Sequence, residues 1–214
     1  MLPDTHLIVG DIQGPGFLEN LPPNFVGKCN KIFSSATLHW CSRDPRAVLI
    51  NVHKILEVGG LFVAEMGGDG NIASTNYIIF LIFQRQLNAD IGVRDALHAA
   101  LRKRGIDPVA RDPWFFPTAD QYMGLLRSAN LDPLQASLYP RSTPFADLSE
   151  WVRLFGKQFL QGMDPEDEQE LVDEVVSRCR ESGVCYWDDE KKSWYLDYVR
   201  LRIIAVKAEG RGNF

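Results

Sequence analysis

His39, followed at once by Trp40, comes just past the run Lys31-Ile32-Phe33-Ser34-Ser35-Ala36, with only Thr37 and Leu38 between. A histidine just past a strand end can orient a carboxylate or take a proton near neutral pH. A lone histidine can equally be a hydrogen-bonded structural residue, and both readings stand. His6, His53 and His98 fall at a strand start and on helices and read as structural. Arg141, Arg153, Arg200 and Arg202 are candidates for holding a carboxylate, because a planar guanidinium meets a carboxylate through two parallel hydrogen bonds. The alternative for each is a surface or ion-paired arginine. Trp114, Phe115, Phe116, Trp151, Phe155 and Phe159 can wall an apolar pocket, or at helical spacing belong to a core. Cys29, Cys41, Cys179 and Cys185 form no CxxC pair and have no histidine at metal-ligand spacing. No metal site is expected from them, and they read as reduced thiols of a cytoplasmic protein. Gly14-Pro15-Gly16 and Gly67-Gly68-Asp69-Gly70 read as tight turns.

These residues need elements to hold them. His6 to Asp11 is a short apolar run ending in Gly-Asp, the pattern of a buried strand feeding a loop. Lys31 to Ser35 is a second strand. Asp44 is a helix N-cap with Pro45 at the first helical position, and Val48, Leu49, Val52, Ile55 and Leu56 share one helix face. Gly59-Gly60 is expected to end that helix. Leu61 to Met66 is a third strand, which completes a βαβ unit and places the functional edge at the carboxy ends of its strands. Further on, a long apolar helix is expected from about Ala73 to Asn88 and a more polar one ending near Gly105. The loop Asp112 to Pro117 leads to a helix begun at Thr118, with Asp120 and Gln121 in its first turn. A strand around Gln135 to Tyr139, helices Leu148–Gln161 and Pro165–Arg180, and a strand Tyr195–Lys207 follow. No repeat or linker interrupts the chain, so residues 1–214 read as one domain.

Composition narrows the function classes. The chain is 45% hydrophobic and 24% charged, with a net charge of -5. Nucleic-acid binding is not expected, since phosphate recognition needs clustered cations and Arg102-Lys103-Arg104 reads as a solvated helix end. The longest aliphatic-aromatic run, Tyr77 to Phe83, is far short of the ~20 residues of a membrane span. Neither a membrane segment nor a secretory leader is expected.

Taken in order, several stretches resemble one family. They are Val9-Gly10-Asp11-Ile12-Gln13, Ile32 to Trp40, Leu56 to Gly68, Phe115-Phe116-Pro117, Pro140 to Phe145, Trp151 to Phe155 and Asp197 to Arg202. Together they resemble the class I S-adenosylmethionine-dependent methyltransferases, in the branch of trans-aconitate methyltransferase. The resemblance implies an α/β Rossmann-like fold with strand order 3-2-1-4-5-7-6 and the last strand antiparallel, carrying helical cap elements. It matches Lys31–Ser35 to strand four, Leu61–Met66 to strand five, and His6–Asp11 to strand three. It also implies that Asp11, with Ile12, meets the adenine amino group, and that Ser34, Ser35 and Ala36 line the methionine side of S-adenosylmethionine. For Asp11 a plain turn or cap role is the alternative. By the same resemblance His39 and Trp40 face the acceptor and Arg141, in the family-like stretch, positions it; Trp114 as a pocket wall and Arg200 as a guanidinium are further candidates for substrate contact.

The family's first strand carries a GxGxG-type turn and its second a ribose-binding acid. No stretch ahead of Asp11 matches either, so the expected fold lacks strands one and two and is shortened at its amino end. An unpaired edge on strand four then predicts a homodimer or a smaller, repacked sheet. Two functions compete: methyl transfer to a small-molecule acceptor, a carboxylate or secondary metabolite, and a cofactor-independent role as isomerase, cyclase or non-catalytic binding protein.

Overall fold

The computed structural model describes residues 5–73 and 92–209. The helix expected from about Ala73 to Asn88, with its run Tyr77 to Phe83, lies outside them from residue 74 onward. The described elements are β1 (Cys29–Ser35), α1 (Pro45–Ile55), β2 (Leu56–Gly67), α2 (Val93–Lys103), α3 (Ala119–Ser128), β3 (Asp132–Phe145), α4 (Leu148–Phe155), α5 (Pro165–Glu181), β4 (Cys185–Asp188) and β5 (Ser193–Val206). The strand order is β1-β2-β5-β3, with β4 paired to β5. In the numbering of the resemblance this is 4-5-7-6. The chain divides into two compact units, one of 5–69, 114–139 and 201–209, the other of 70–73, 92–113 and 140–200.

The first unit is built on the βαβ read from the sequence. β1 and β2 run parallel, with Lys31 opposite Leu61 and Ser35 opposite Glu65. Between them α1 starts where Asp44 accepts the Ala47 amide at 2.8 Å, and it buries Val48, Leu49, Asn51 and Val52. It stops at Ile55, earlier than the glycine pair suggested. Gly59, at φ +80°, lies inside β2 instead. There the register slips, since Cys29 faces Leu56 but Lys31 faces Leu61. Positive φ was the right expectation for this glycine, but it serves a bulge and not a helix cap.

Bonds between Gly59, Gly60 and Lys207 and the Glu65–Arg202 ion pair fix the direction of β5. Positions rise along β2 as they fall along β5, so the two are antiparallel, as the resemblance implied for the last strand. α3 begins with a full capping box: Gln121 N–H donates to Thr118 Oγ1 at 3.1 Å and Thr118 N–H to Gln121 Oε1 at 2.9 Å. Leu49, Leu56, Phe62, Met66, Leu126, Leu131, Leu201 and Ile203 fill one core. Each such side chain contributes about 2 kcal/mol on burial. Residues 5–11 form no strand, which corrects the expectation for His6 to Asp11. Leu7 and Val9 are 96% and 93% exposed, and no described strand flanks the run to supply ladder bonds.

The second unit packs helices beside the β4–β5 hairpin. On α2, Val93, Ala96, Leu97, Ala100 and Leu101 form one buried stripe, and Gly105 at φ +71° follows its end. α5 is capped by Asp164, carries Glu166, Asp167 and Glu168 in its first turn and Arg178 and Arg180 in its last, and so complements its own dipole. Glu174 joins α5 to α2 through Arg104 at 2.9 Å. Burial pushes its carboxyl up, but Arg104, Lys103 and Arg178 outweigh that and hold it below the usual range. α4 ends at Phe155, short of Gln161, because Gly156 stands where a Cβ would meet the Val152 carbonyl at 2.6 Å. β4 was not expected; it pairs antiparallel with β5, setting Tyr186 beside Tyr195 and Trp187 beside Trp194. β3 also runs past Tyr139 through Pro140–Phe145, a stretch expected to follow the strand. Among the described residues no helix is long and apolar enough to cross a membrane.

Candidate functional site

The carboxy-terminal edge of β1 and β2, within the first unit, gathers most of the residues singled out in the sequence. β1 ends at Ser35, and Ala36 turns there at φ +52°, a left-handed conformation that alanine adopts only where its surroundings hold it. Its N–H donates to the Glu65 carbonyl of β2 at 2.8 Å. Ser34 is half-buried, and Ser35 and Ala36 are exposed. A single 3-10 turn, Leu38–Trp40, follows.

That turn buries His39. Its Nδ1 accepts the Gly67 amide of β2 at 3.3 Å, and its carbonyl accepts from Phe115 N–H at 2.8 Å. Four rings close a circuit around this point. His39 lies 5.3 Å from Trp40 and 5.9 Å from Phe116, Trp114 stacks on Phe116 at 5.8 Å, and Trp40 meets Trp114 edge-on at 6.1 Å. His39 and Trp114 are buried while Trp40 keeps 38% of its surface exposed. The loop 114–117 is tied down again where Asp69 N–H donates to the Pro117 carbonyl at 2.9 Å. Gly68 must be glycine, since a Cβ there would lie 2.4 Å from Leu138 Cδ2 and 2.9 Å from Leu201 Cβ. The glycine cluster after β2 is thus a close-packing requirement as much as a turn.

The segment 11–13 docks on the start of α1. Gln13 Oε1 accepts the backbone amides of Arg43 at 3.0 Å and Asp44 at 3.1 Å, and Asn51 Nδ2 donates to the Ile12 carbonyl at 2.8 Å. Asp11 Oδ1 accepts Gln13 N–H at 3.0 Å and its Oδ2 pairs with the Arg43 guanidinium. The Arg43 bond first, then the Gln13 amide, holds the Asp11 carboxyl below the usual carboxylate range. The turn reading of Asp11 is thus what its contacts show, while its side chain stays half exposed and each carboxylate oxygen keeps a second lone pair. Gln13, Arg43 and Asn51 were not singled out in the sequence. Asn51 carried a signal: an amide beside the apolar face of α1 must find a partner when buried.

The second unit holds the remaining candidates except Arg202. Arg141 is exposed on β3, and Arg200 places its guanidinium 4.6 Å from the centre of the Tyr198 ring. Arg153 pairs with Glu168 at 3.1 Å, and in the first unit Arg202 pairs with Glu65 at 2.7 Å. The last two are ion-paired arginines, as their alternative reading had it.

Comparison with models of known protein families gives no match. A Schizosaccharomyces pombe (strain 972 / ATCC 24843) protein described as an uncharacterized methyltransferase is 29% identical over 185 residues, which is 82% of this chain. The chain spans 62% of the length of that relative. Among solved structures, loganic acid methyltransferase with SAH superposes with a TM-score of 0.59 at 14% identity, over 96% of this chain and 67% of that one. A proposed methyltransferase from Bacillus halodurans C-125 gives 0.50 at 12% identity, over 94% and 76%. In sequence the chain is thus similar to an uncharacterized methyltransferase, and in fold to solved methyltransferase structures.

Proposed function

We propose that this protein transfers a methyl group from S-adenosylmethionine to a small-molecule acceptor at the carboxy-terminal edge of β1 and β2. The observation that carries the reading is the convergence there of the Asp11 loop, the left-handed Ala36 and the ring of His39, Trp40, Trp114 and Phe116. Ligands of open α/β sheets bind at this edge.

The residues present fit the adenine and methyl-donor parts of the cofactor. Asp11 has acceptor capacity left for an exocyclic amine. Ile12, packed against the core, sets the height of that loop. Ser34, Ser35 and Ala36 offer short side chains and an open backbone to the methionine side. The cofactor supplies an electrophilic methyl on a cationic sulfur, and the partly exposed face of Trp40 is a surface that attracts cations. With its Nδ1 accepting the Gly67 amide, His39 carries its proton on Nε2 and is proposed, by its place at this edge, to face the acceptor. A carboxylate acceptor, as in the trans-aconitate branch, is already anionic and needs positioning in line more than a base. Arg141 and Arg200 stay proposed for acceptor recognition on the ground of the resemblance. The four free cysteines support a reducing, cytoplasmic setting. β1 ends the strand order with Phe33 74% exposed, which supports a homodimer formed through that edge.

Calorimetric titration with S-adenosylmethionine and S-adenosylhomocysteine tests the reading. Micromolar binding is expected, weakened about tenfold in Asp11→Ala, the worth of one hydrogen bond near 1.4 kcal/mol. No heat with either compound at high micromolar protein rejects methyl transfer by this chain and returns the cofactor-independent alternative.

A further inference from the structure

At the other end of β2 the first unit carries a cavity of about 590 Å³, lined by His53, Val58, Arg127, Asn130, Asp132, Lys207, Ala208 and Glu209. Its volume is that of a small-molecule pocket. It lies beside the Gly59 bulge, and the eight residue steps from Gly59 to Gly67 put roughly 25 Å of strand between it and the proposed reaction site.

The lining has an unusual property. Arg127 and Lys207 bring positive charge and Asp132 and Glu209 negative charge, yet none of these four pairs with another. Nor do the side chains of His53, Arg127, Asn130, Asp132 or Glu209 bond to any described residue. Opposite charges that line one cleft without pairing are held apart by the backbone. The backbone here is well fixed: Gly59 N–H donates to the Lys207 carbonyl at 2.8 Å, Lys207 N–H to that of Gly60 at 3.0 Å, and Lys207 Nζ to that of Leu56 at 2.8 Å. Arg127 and Asn130 bracket the end of α3, where Asn130 turns at φ +57°. Burial first, then the positive charges of Lys207 and Lys54, lowers the His53 pKa.

We infer that this cavity binds a small zwitterion of the amino-acid class, its carboxylate facing Arg127, Lys207 and His53 and its ammonium facing Asp132 and Glu209. A molecule carrying both signs a few bonds apart satisfies both sets of charges, whereas a simple anion or cation meets repulsion from one of them. The site is separate from the reaction edge and does not depend on the function proposed there.

The test is amide-resolved NMR of the full chain titrated with L-leucine, L-glutamine and L-arginine, with inorganic phosphate and ethylamine as single-charge probes. Saturable shifts at Val58, Asn130 and Lys207 are expected with at least one amino acid, about tenfold or more tighter than with either single-charge probe. Arg127→Ala and Asp132→Asn, both clear of the hydrophobic core, should each weaken binding about tenfold while the remaining spectrum confirms the fold. Three results overturn the inference: no saturable shift with any amino acid, phosphate or ethylamine binding as tightly, or only one of the two variants losing affinity. In the first case Arg127 serves only to complement the carboxy end of α3.

Discussion

Because Nδ1 of His39 receives the Gly67 amide at 3.3 Å, the ring is held in one tautomer, and its contribution to stability can be separated from its contribution to binding. Replacing it by leucine leaves a buried N–H without an acceptor and costs about 1–3 kcal/mol in urea unfolding. Asparagine, whose Oδ1 stands close to the position of Nδ1, should lose less than half as much. Equal losses from His39→Leu and His39→Asn would show that the Gly67 bond contributes nothing. That His39 lies at the carboxy-terminal edge of β1 and β2 was legible in the sequence, from its place just past β1. Its direction of hydrogen bonding was not, because the partner lies 28 residues away. Arg43 was hidden for the same reason: its pairing with Asp11 spans 32 residues and follows from where the segment 11–13 docks.

Among the elements, those with complete local signals were read correctly. Asp44-Pro45 started α1, Thr118 with Gln121 started α3, and the apolar runs at Lys31 and Leu61 became β1 and β2. Misreadings came where the outcome depends on a neighbour. Gly59-Gly60 resembled a helix stop until Lys207 of β5 paired with it. β4 is only four residues long and gains its stability from β5, though the flanking Tyr186-Trp187 and Trp194-Tyr195 pairs were a hairpin signal. The segment 5–11 shows the converse, an apolar run that no strand adjoins. β1 raises the same question from its outer side, where Lys31, Phe33 and Ser35 are exposed along the edge. An edge of this kind recruits a second chain unless it is blunted. Light scattering at tens of micromolar is therefore expected to give a dimer mass, and Phe33→Lys a monomer. A wild-type monomer at that concentration contradicts pairing through β1.

For the molecule as a whole, strand order was the part of the fold most legible in advance. β1-β2-β5-β3, with β5 reversed, is the 4-5-7-6 portion of the order the resemblance implied. The division into two units was not legible, since β3 and β5 each pass from one unit to the other within a continuous strand, at Tyr139–Pro140 and Arg200–Leu201, without any change of composition. We propose that the cofactor takes the carboxy-terminal edge of β1 and β2 and that the cavity at the other end of β2 takes a different ligand. Hydrogen exchange with and without S-adenosylhomocysteine tests this most directly. Slowed exchange is expected at residues 11–13, 34–40 and 67–69, with no change at Val58, Asn130 and Lys207. Protection confined to the Val58–Lys207 end, or none anywhere at saturating ligand, would contradict it.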